Sequence, residues 1–355
     1  MSELKVDKVS PRTGTYVSLN TVGSKNIIIN GDMSIAQRGT TATGLGNGDS
    51  GYHTVDRWRF AEGGSPTFEF TQSQSTDVPT GQGFATSLKM DCTTADASLA
   101  TDDLIRIDQR FEGQNLQYLK KGTASAESLT LSFWVKSNKT GTYIVEFFDS
   151  DNTRQISQSY SINSASTWEK KTITIAGDTT GAFDNDNNLS LQFSFYLVAG
   201  TNYTSGTLNT SWGASVNANR AVGQVNLADN TANEWFITGV QLEAGTTASD
   251  FEFLPVDMNL ARCQRYFTKV SYGQLASEDV IFGLTFGGDG SDNVMFTYRF
   301  PVDMRATPTI TIGSSGGGVG TPSTQYIDPE GMQLYYTGAD TANCWLKSVT
   351  AGAEL

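Results

Sequence analysis

The sequence predicts an all-β protein, and three observations carry that prediction. Leu189, Leu191, Phe193, Phe195 and Leu197 alternate strictly with Ser190, Gln192, Ser194 and Tyr196. The same period of two runs through Leu129, Leu131, Phe133 and Val135, and resumes in Tyr143, Val145 and Phe147. Such a period puts one set of side chains on each side of a strand, so each segment reads as a strand with an apolar inner face. Third, 36 glycines and many Ser, Thr and Asn residues accompany a hydrophobic content of 38%, a composition suited to short strands joined by many turns.

Residues 1–30 stand apart. Leu4, Val6 and Val9 are spaced for a short extended segment, which Pro11, Gly14 and Gly23 punctuate. With too few apolar residues for a core of its own, this stretch is expected to dock elsewhere as an adaptor arm or to stay disordered. Asn26-Ile-Ile-Ile-Asn-Gly opens the folded part and reads as a strand buried on both faces and ended by a turn. Strands follow near residues 67–71, 87–92 and 104–111, with Leu116 and Leu119 on a single helical turn. Residues 128–136, a turn through 138–141, residues 142–147, a polar loop and residues 168–175 read as strand, turn, strand, loop, strand: an antiparallel sheet. Beyond the strand at 189–197, a polar loop at 200–219 precedes strands near 220–225 and 235–242. The last carries Phe236, Thr238, Val240 and Leu242 on one side. About nine strands at short spacing fit a two-sheet jelly-roll sandwich over residues 31–254.

A linker helix is expected within residues 255–267. Asp257 caps it, and Leu260, Cys263 and Phe267 share its apolar face. Residues 268–355 read as a smaller C-terminal β-sandwich, with strands near 280–286, 293–300, 309–312, 332–336 and 344–349. Pro301 and Pro308 fall outside the ladders. No fixed-period repeat appears, against a β-helix or propeller.

The formal net charge is −13 with no run of Lys or Arg, which argues against a nucleic-acid partner and against an anionic membrane surface. The opening Met-Ser-Glu-Leu-Lys-Val-Asp-Lys lacks the apolar run of a signal peptide, and no stretch is apolar enough for membrane insertion. Cys92, Cys263 and Cys344 are odd in number, without metal-like spacing, and read as thiols. Asn138, Asn188, Asn202 and Asn209 stand in Asn-x-Ser/Thr, read as Asn- and Thr-rich loops. No cofactor or metal is implied, since no phosphate loop, dinucleotide fingerprint or His/Cys cluster occurs. His53 reads as a surface loop residue, with no nucleophile elbow to partner it. Asp149/Asp151 and Asp184/Asp186 are close enough in sequence for a glycosidase pair, but their Ser-, Asn- and Gly-rich setting reads as solvated turns. The Asp184-Asn-Asp-Asn-Asn run has oxygen ligands for calcium without the twelve-residue loop pattern.

Aromatic placement is more informative. Trp134 and Tyr196 fall on the polar side of their strands, and Tyr203 and Trp212 sit in a polar loop. A flat ring on a sheet face among Asn, Gln and Ser is a way to grip a sugar, ring against C–H face and amides to hydroxyls. The alternative is that a crossing loop or a neighbouring subunit covers these rings.

Several ordered motifs carry a resemblance. They are Leu4-Lys-Val-Asp-Lys-Val-Ser-Pro-Arg-Thr-Gly; Asn26-Ile-Ile-Ile-Asn-Gly-Asp-Met-Ser-Ile-Ala-Gln-Arg-Gly; Val55-Asp-Arg-Trp; Leu129-Thr-Leu-Ser-Phe-Trp-Val-Lys-Ser; and Trp168-Glu-Lys-Lys-Thr-Ile-Thr-Ile. Ile237-Thr-Gly-Val-Gln-Leu-Glu-Ala-Gly, Cys263-Gln-Arg-Tyr-Phe, Phe300-Pro-Val-Asp-Met-Arg-Ala-Thr-Pro-Thr and terminal Ala353-Glu-Leu complete the series. Together they resemble tail-fibre proteins of tailed bacteriophages, notably marine ones, over nearly the whole chain. The middle also resembles the jelly-roll carbohydrate-binding modules of secreted glycosidases.

The resemblance implies a non-enzymatic virion structural protein, made in the host cytoplasm and usually trimeric. Residues 1–30 would attach it to other tail or adaptor proteins, and its β-sandwiches would meet a host surface polysaccharide. Leu260, Cys263 and Phe267 would then meet their symmetry mates on a threefold axis. No sugar-binding residues carry over, because ligand contacts vary between such domains. The chain lacks a coiled-coil or repetitive shaft, so the fibre would be short or docked on a larger adaptor. A purely architectural tail, neck or capsid-attached protein is the alternative, and a depolymerase the third reading.

Overall fold

The computed structural model describes residues 25–271, 282–285, 292–313, 315–316, 323–339, 343–346 and 348–355. Leu4, Val6 and Val9 lie outside these, as does the Cys344 side chain. The protein is all-β. Its first part holds strands β1 (Thr41–Leu45), β2 (Gly51–Tyr52), β3 (Arg59–Gly63), β4 (Glu69–Ser75), β5 (Ser87–Thr94), β6 (Leu104–Glu112) and β7 (Leu129–Ser137). It continues with β8 (Gly141–Asp149), β9 (Arg154–Ile162), β10 (Glu169–Ile175), β11 (Leu189–Ala199), β12 (Gly213–Ala214) and β13 (Glu234–Ala244). A six-stranded sheet in the order β1-β4-β5-β13-β7-β10 packs on a seven-stranded sheet in the order β12-β9-β8-β11-β6-β3-β2. The inward residues of the alternating segments meet between them, with Phe133, Phe193 and Phe195 fully buried and rings of Phe133 and Phe195 edge-on at 5.0 Å. Burying each such side chain contributes about 1.5–3 kcal/mol.

The structure corrects several sequence expectations. β7 pairs antiparallel with β10, but β8 lies in the other sheet beside β9 and β11. The residues between β7 and β8 therefore carry the chain across the sandwich instead of closing a hairpin. That corner is pinned to the 226–234 segment: Asn138 Nδ2 donates to Ala232 O at 2.9 Å and Asn138 Oδ1 accepts from Glu234 N at 2.8 Å. β9 had read as polar loop, yet Ile156, Tyr160 and Ile162 are buried at alternate inward positions; Gln158 interrupts the apolar series. Residues 220–225 form a turn, not a strand. Asn26–Ile29 is not a strand either. Side-chain bonds hold it instead: Asn26 Oδ1 accepts from Ile28 N and Leu242 N at 3.0 Å, and Asn26 Nδ2 donates to Val240 O at 3.0 Å.

β13 changes phase along its length. Its register against β7 shifts between Thr238 and Gln241, and Gly239 there has φ +62°, the signature of a β-bulge. Trp235 and Ile237 point inward before the bulge, Val240 and Leu242 after it; Phe236 and Thr238 therefore face outward, against the expected single stripe. A Cβ on Gly239 would come within 2.5 Å of the Phe84 ring, so only glycine fits.

In helix α1 (Val256–Gln264) Pro255 occupies the N-cap position without a side-chain cap bond, and Asp257 lies inside the first turn. Cys263 is fully buried within the chain beside Ile29, Ile35 and Tyr266, with Leu260 packed against them. Phe267 is not helical: it opens β14 (Phe267–Ser271), and the Arg38 guanidinium lies 3.5 Å from its ring centre. Cys263 and Phe267 are thus buried against partners inside their own chain, while Leu260 is half-buried.

The C-terminal part comprises β14, β15 (Phe282–Thr285), β16 (Asp292–Arg299), β17 (Thr309–Ile312), β18 (Ser315–Gly316), β19 (Ser323–Gln325), β20 (Gly331–Ala339), β21 (Asn343–Leu346) and β22 (Ser348–Gly352). They form three-stranded sheets β14-β22-β17, β15-β21-β18 and β16-β20-β19. Phe300, Met304, Met332, Leu334, Val349 and Ala351 form a small separate core.

A polar joint ties the two parts together. Glu354 pairs with Arg38 at 2.9 Å and with fully buried Arg57. Arg110 Nη1 donates to Leu355 O at 2.8 Å, and Arg305 Nη1 donates to Asn187 O at 2.8 Å. Asp56 lies in this joint, accepting from Gln37 N at 3.0 Å. Burial pushes its carboxyl up from 3.8 to about 6, outweighing the Gln37 hydrogen bonds and the pull of Arg38. A carboxyl raised on folding stabilises the fold below its unfolded value and loses that contribution as pH rises through the folded value. The stability of wild type minus that of Asp56→Asn is therefore expected to fall between about pH 4 and about pH 7. Urea unfolding at both pH values checks this, and a flat or rising difference contradicts it.

Candidate functional site

The outward residues of the seven-stranded sheet line up across its strands. One row runs Arg59–Asp108–Ser194–Glu146–Ser157, from β3 through β6, β11 and β8 to β9. Beside it run Arg110–Gln192–Phe148–Gln155, and on the other flank Ala61–Arg106–Tyr196. Alternation makes this inevitable: with Ile105, Ile107, Phe193 and Phe195 committed to the core, the intervening residues must face out.

The rows form a layered polar lattice. Asp108 and Glu146 are fully buried at its floor, while the Arg59, Arg106, Arg110 and Arg220 side chains retain 18%, 15%, 21% and 14% exposure around them. Arg220 grips Glu146 with Nε and Nη2, both at 2.7 Å, a bidentate pair. Arg59 Nη1 reaches Asp108 at 3.3 Å. The Gln192 amide, set with its oxygen toward Arg106, accepts from Nη1 and Nη2 at 3.2 and 3.3 Å. Arg106 Nε and Arg110 Nε approach Asp108 only to 3.6 and 3.8 Å, too far for hydrogen bonds. Along with Tyr52 Oη, Asp108 Oδ1 and Gln155 Nε2, these atoms make no hydrogen bond within the protein. The Phe148 ring stands half-buried at the edge, 5.5 Å from the Arg220 guanidinium.

The four rings picked out from sequence are not brought together. Tyr196 lies on this face but is fully buried, donating to Glu146 Oε2 at 3.0 Å. The 200–225 loop folds over it, packing Ala221, Tyr203 and Leu208 against Tyr196 and Ile144, so its ring cannot meet a ligand. Burial beside Glu146 raises its phenol well above the usual range. Tyr203 is half-buried in that covering loop. Trp212 is half-buried elsewhere, its Nε1 donating to Ala176 O at 2.9 Å. Trp134 is half-buried on the outer face of the other sheet, between Lys170 and Thr238 in register. The crossing loop wins for Tyr196 because the outward faces of β8 and β11 carry apolar Ile144 next to it.

Sequence reading passed over Arg59, Arg106, Asp108, Arg110, Glu146, Phe148 and Arg220. A signal existed in Arg106-Ile-Asp-Gln-Arg, where charge recurs at every second position of a strand. Asp149 also departs from expectation. It is not a solvated turn residue but is fully buried, with Lys121 Nζ at 2.5 Å. Lys121 also meets Asp178 at 3.1 Å. Burial opposes the charge on Asp178, yet hydrogen bonds from Arg154, Thr180 N and Lys121 hold it below the usual carboxylate range. The arrangement is a structural ion cluster. His53 Nε2 lies 2.7 Å from Asp49 O in a turn. Among the described residues no group of three or more His, Cys, Asp or Glu is placed to hold a metal ion, and no helix is long and apolar enough to cross a membrane. A recess of about 310 Å³ lies beside Tyr118 and Arg262. Its acid, Glu112, is already engaged by Arg265 at 2.7 Å and Tyr266 at 2.6 Å.

No family model matches the sequence, and no curated protein matches it. Among solved structures, it is similar to the enzymatically active domain of bacteriophage CBA120 tailspike protein 4, at 14% identity and TM-score 0.33, over 62% of this chain and 21% of that one. The chain thus spans about a fifth of that protein's length. It is also similar to the family 11 carbohydrate-binding module of a Clostridium thermocellum cellulase, at 12% identity and TM-score 0.27, over 58% of this chain and 97% of that one. A third is TmCBM61 in complex with β-1,4-galactotriose, at 8% identity and TM-score 0.25, over 62% of this chain and 99% of that one. Identities and scores this low leave ligand, activity and partners to be argued from the chain's own residues.

Proposed function

We propose that this chain is a non-enzymatic subunit of a phage tail fibre that recognises a glycan on a host surface through the outer face of the seven-stranded sheet. The observation that carries the reading is the strand-registered lattice itself. The partly exposed guanidinium groups of Arg59, Arg106, Arg110 and Arg220 stand at fixed spacing on a rigid sheet, held over a floor in which Asp108, Glu146, Gln155, Ser157, Gln192 and Ser194 are buried. A saccharide presents many hydroxyls at comparable spacing, and the edge ring of Phe148 supplies a surface for a C–H face. The position is on sheet strands, which hold geometry better than loops.

Binding without bond-making suits Glu146. Glu146 Oε1 accepts from Arg220, and Oε2 from Arg220 and Tyr196, which leaves no oxygen directed at a leaving group as a general acid requires. In a trimer carried in several copies, linked weak sites would gain roughly 10²–10⁴ in avidity.

The test is binding of the purified chain to a panel of bacterial surface polysaccharides. Phe148→Ala and Gln192→Ala are expected to weaken binding on the order of tenfold each, with unchanged circular dichroism. Trp134→Ala, on the other sheet, is expected to leave it intact. Shortened polysaccharide after incubation would contradict the non-enzymatic part, and binding indifferent to both site variants would contradict the location.

A further inference from the structure

We infer that the glycan taken by this face is anionic, a saccharide bearing carboxylate, sulfate or phosphate groups; this rests on the proposal that the face binds a glycan. The charge tally comes first. Arg59, Arg106, Arg110 and Arg220 stand against Asp108 and Glu146; with Arg110 set aside because its Nη1 is also held by Leu355 O at 2.8 Å, three guanidinium groups still face two carboxylates, a local positive excess. This occurs on a chain whose formal net charge is −13, so the excess is local and is not a sample of the average surface.

The layering matters as much as the sum. Both carboxylates have 0% side-chain exposure, whereas the four arginines keep 14–21%. A ligand arriving from solvent meets the cations and not the anions that hold them. Buried acids of this kind position guanidinium groups, and the planar donors left over match an oxyanion in a bidentate manner.

The ion-pair accounting points the same way. The single acid between Arg59, Arg106 and Arg110 is buried Asp108, which the three approach to 3.3, 3.6 and 3.8 Å. Three guanidinium groups converge on one carboxylate, so their donors outnumber its lone pairs. At the exposed parts of these side chains a neutral sugar hydroxyl would meet donors singly, while an oxyanion would meet several together and also neutralise charge.

The experiment pairs each acidic member of the polysaccharide panel with its neutralised form: uronates carboxyl-reduced, sulfate esters desulfated, phosphodiesters removed by hydrogen fluoride. Affinity is measured by calorimetry on the full chain. The acidic forms are expected to bind about tenfold or more tightly than their neutral counterparts, and which pair shows the gap assigns the oxyanion. Arg110→Gln is expected to shrink that gap, whereas Arg110→Lys, which keeps the charge, retains most of it. Thermal melts of both variants identify misfolding, and the paired glycans on wild type stand independently of either. Equal binding to charged and neutral partners would overturn this inference and leave glycan recognition standing. Binding to no member of either set would overturn the glycan reading itself, and binding to an acidic protein segment in its place would favour the architectural role.

Discussion

Glu354→Ala is expected to destabilise the folded chain by about 3–5 kcal/mol, a large fraction of what a protein has in reserve. The reason lies in Arg57, whose side chain has 0% exposure. Its Nη1 pairs with Glu354, its Nη2 donates to Arg110 O at 2.6 Å, and the Tyr266 ring centre lies 3.5 Å from its Cζ. Without Glu354 the guanidinium stays in an apolar box with a carbonyl but no countercharge. Removing both charges with Arg57→Met and Glu354→Gln should recover most of the loss, since an unpaired buried ion costs more than an absent pair. Urea unfolding midpoints of the single and double variants decide it. A single variant within about 1 kcal/mol of wild type would mean water reaches Arg57.

The same joint gathers several of the family-like motifs. Asn30 in the motif that opens at Asn26 adopts φ +58° and its Nδ2 donates to Ile35 O and Asp56 O at 2.9 and 3.0 Å. Its carbonyl accepts from Trp58 Nε1 of the Val55-Asp-Arg-Trp motif at 3.0 Å. Tyr266 of the Cys263-Gln-Arg-Tyr-Phe motif accepts Ala353 N on its carbonyl at 2.7 Å, and Arg305 Nε donates to Ala353 O at 2.8 Å. The motifs at residues 26–39, 55–58, 263–267, 300–309 and 353–355 thus converge on one junction. They record how the two parts are joined, which is a constraint of folding, and so they say little about a ligand.

Strand identity was legible wherever the inward series is unbroken. Leu189 to Leu197 needed only its own period, and residues 309–312 were read as a strand that the structure places at Thr309–Ile312. The misreadings share a cause, namely long-range pairing that local pattern does not encode. Gln158 hid β9, a bulge at Gly239 shifted the phase of β13, and nothing in residues 138–141 states that β8 will pair with β11 and not with β7. The site was legible as chemistry and not as location. The sequence places Tyr196 as an exposed ring on a polar sheet face, whereas it is fully buried. Which part of the face the 200–225 loop covers depends on Ala221 and Leu208 meeting Ile144, contacts between residues far apart in sequence.

That covering loop supplies the second large effect. Arg220→Ala is expected to cost about 3–5 kcal/mol and to weaken glycan binding more than Phe148→Ala does. Glu146 is fully buried, and Arg220 provides both of its hydrogen bonds to a cation; the next guanidinium, Arg106, is 3.8 Å away. Arg220 also anchors the loop through its carbonyl, which accepts from Ser157 Oγ at 2.8 Å. Losing the side chain strands a carboxylate on the floor of the lattice and frees the segment that shapes one wall. Arg220→Lys keeps a charge but cannot span both oxygens, so it should fall between wild type and alanine. Adding Glu146→Gln to Arg220→Ala removes the stranded charge and should restore stability while leaving binding impaired. Stability and binding are then separable in one set of four proteins. Recovery of both together would mean that Arg220 serves the fold alone, and that the rim charge it adds to the face does not touch the ligand.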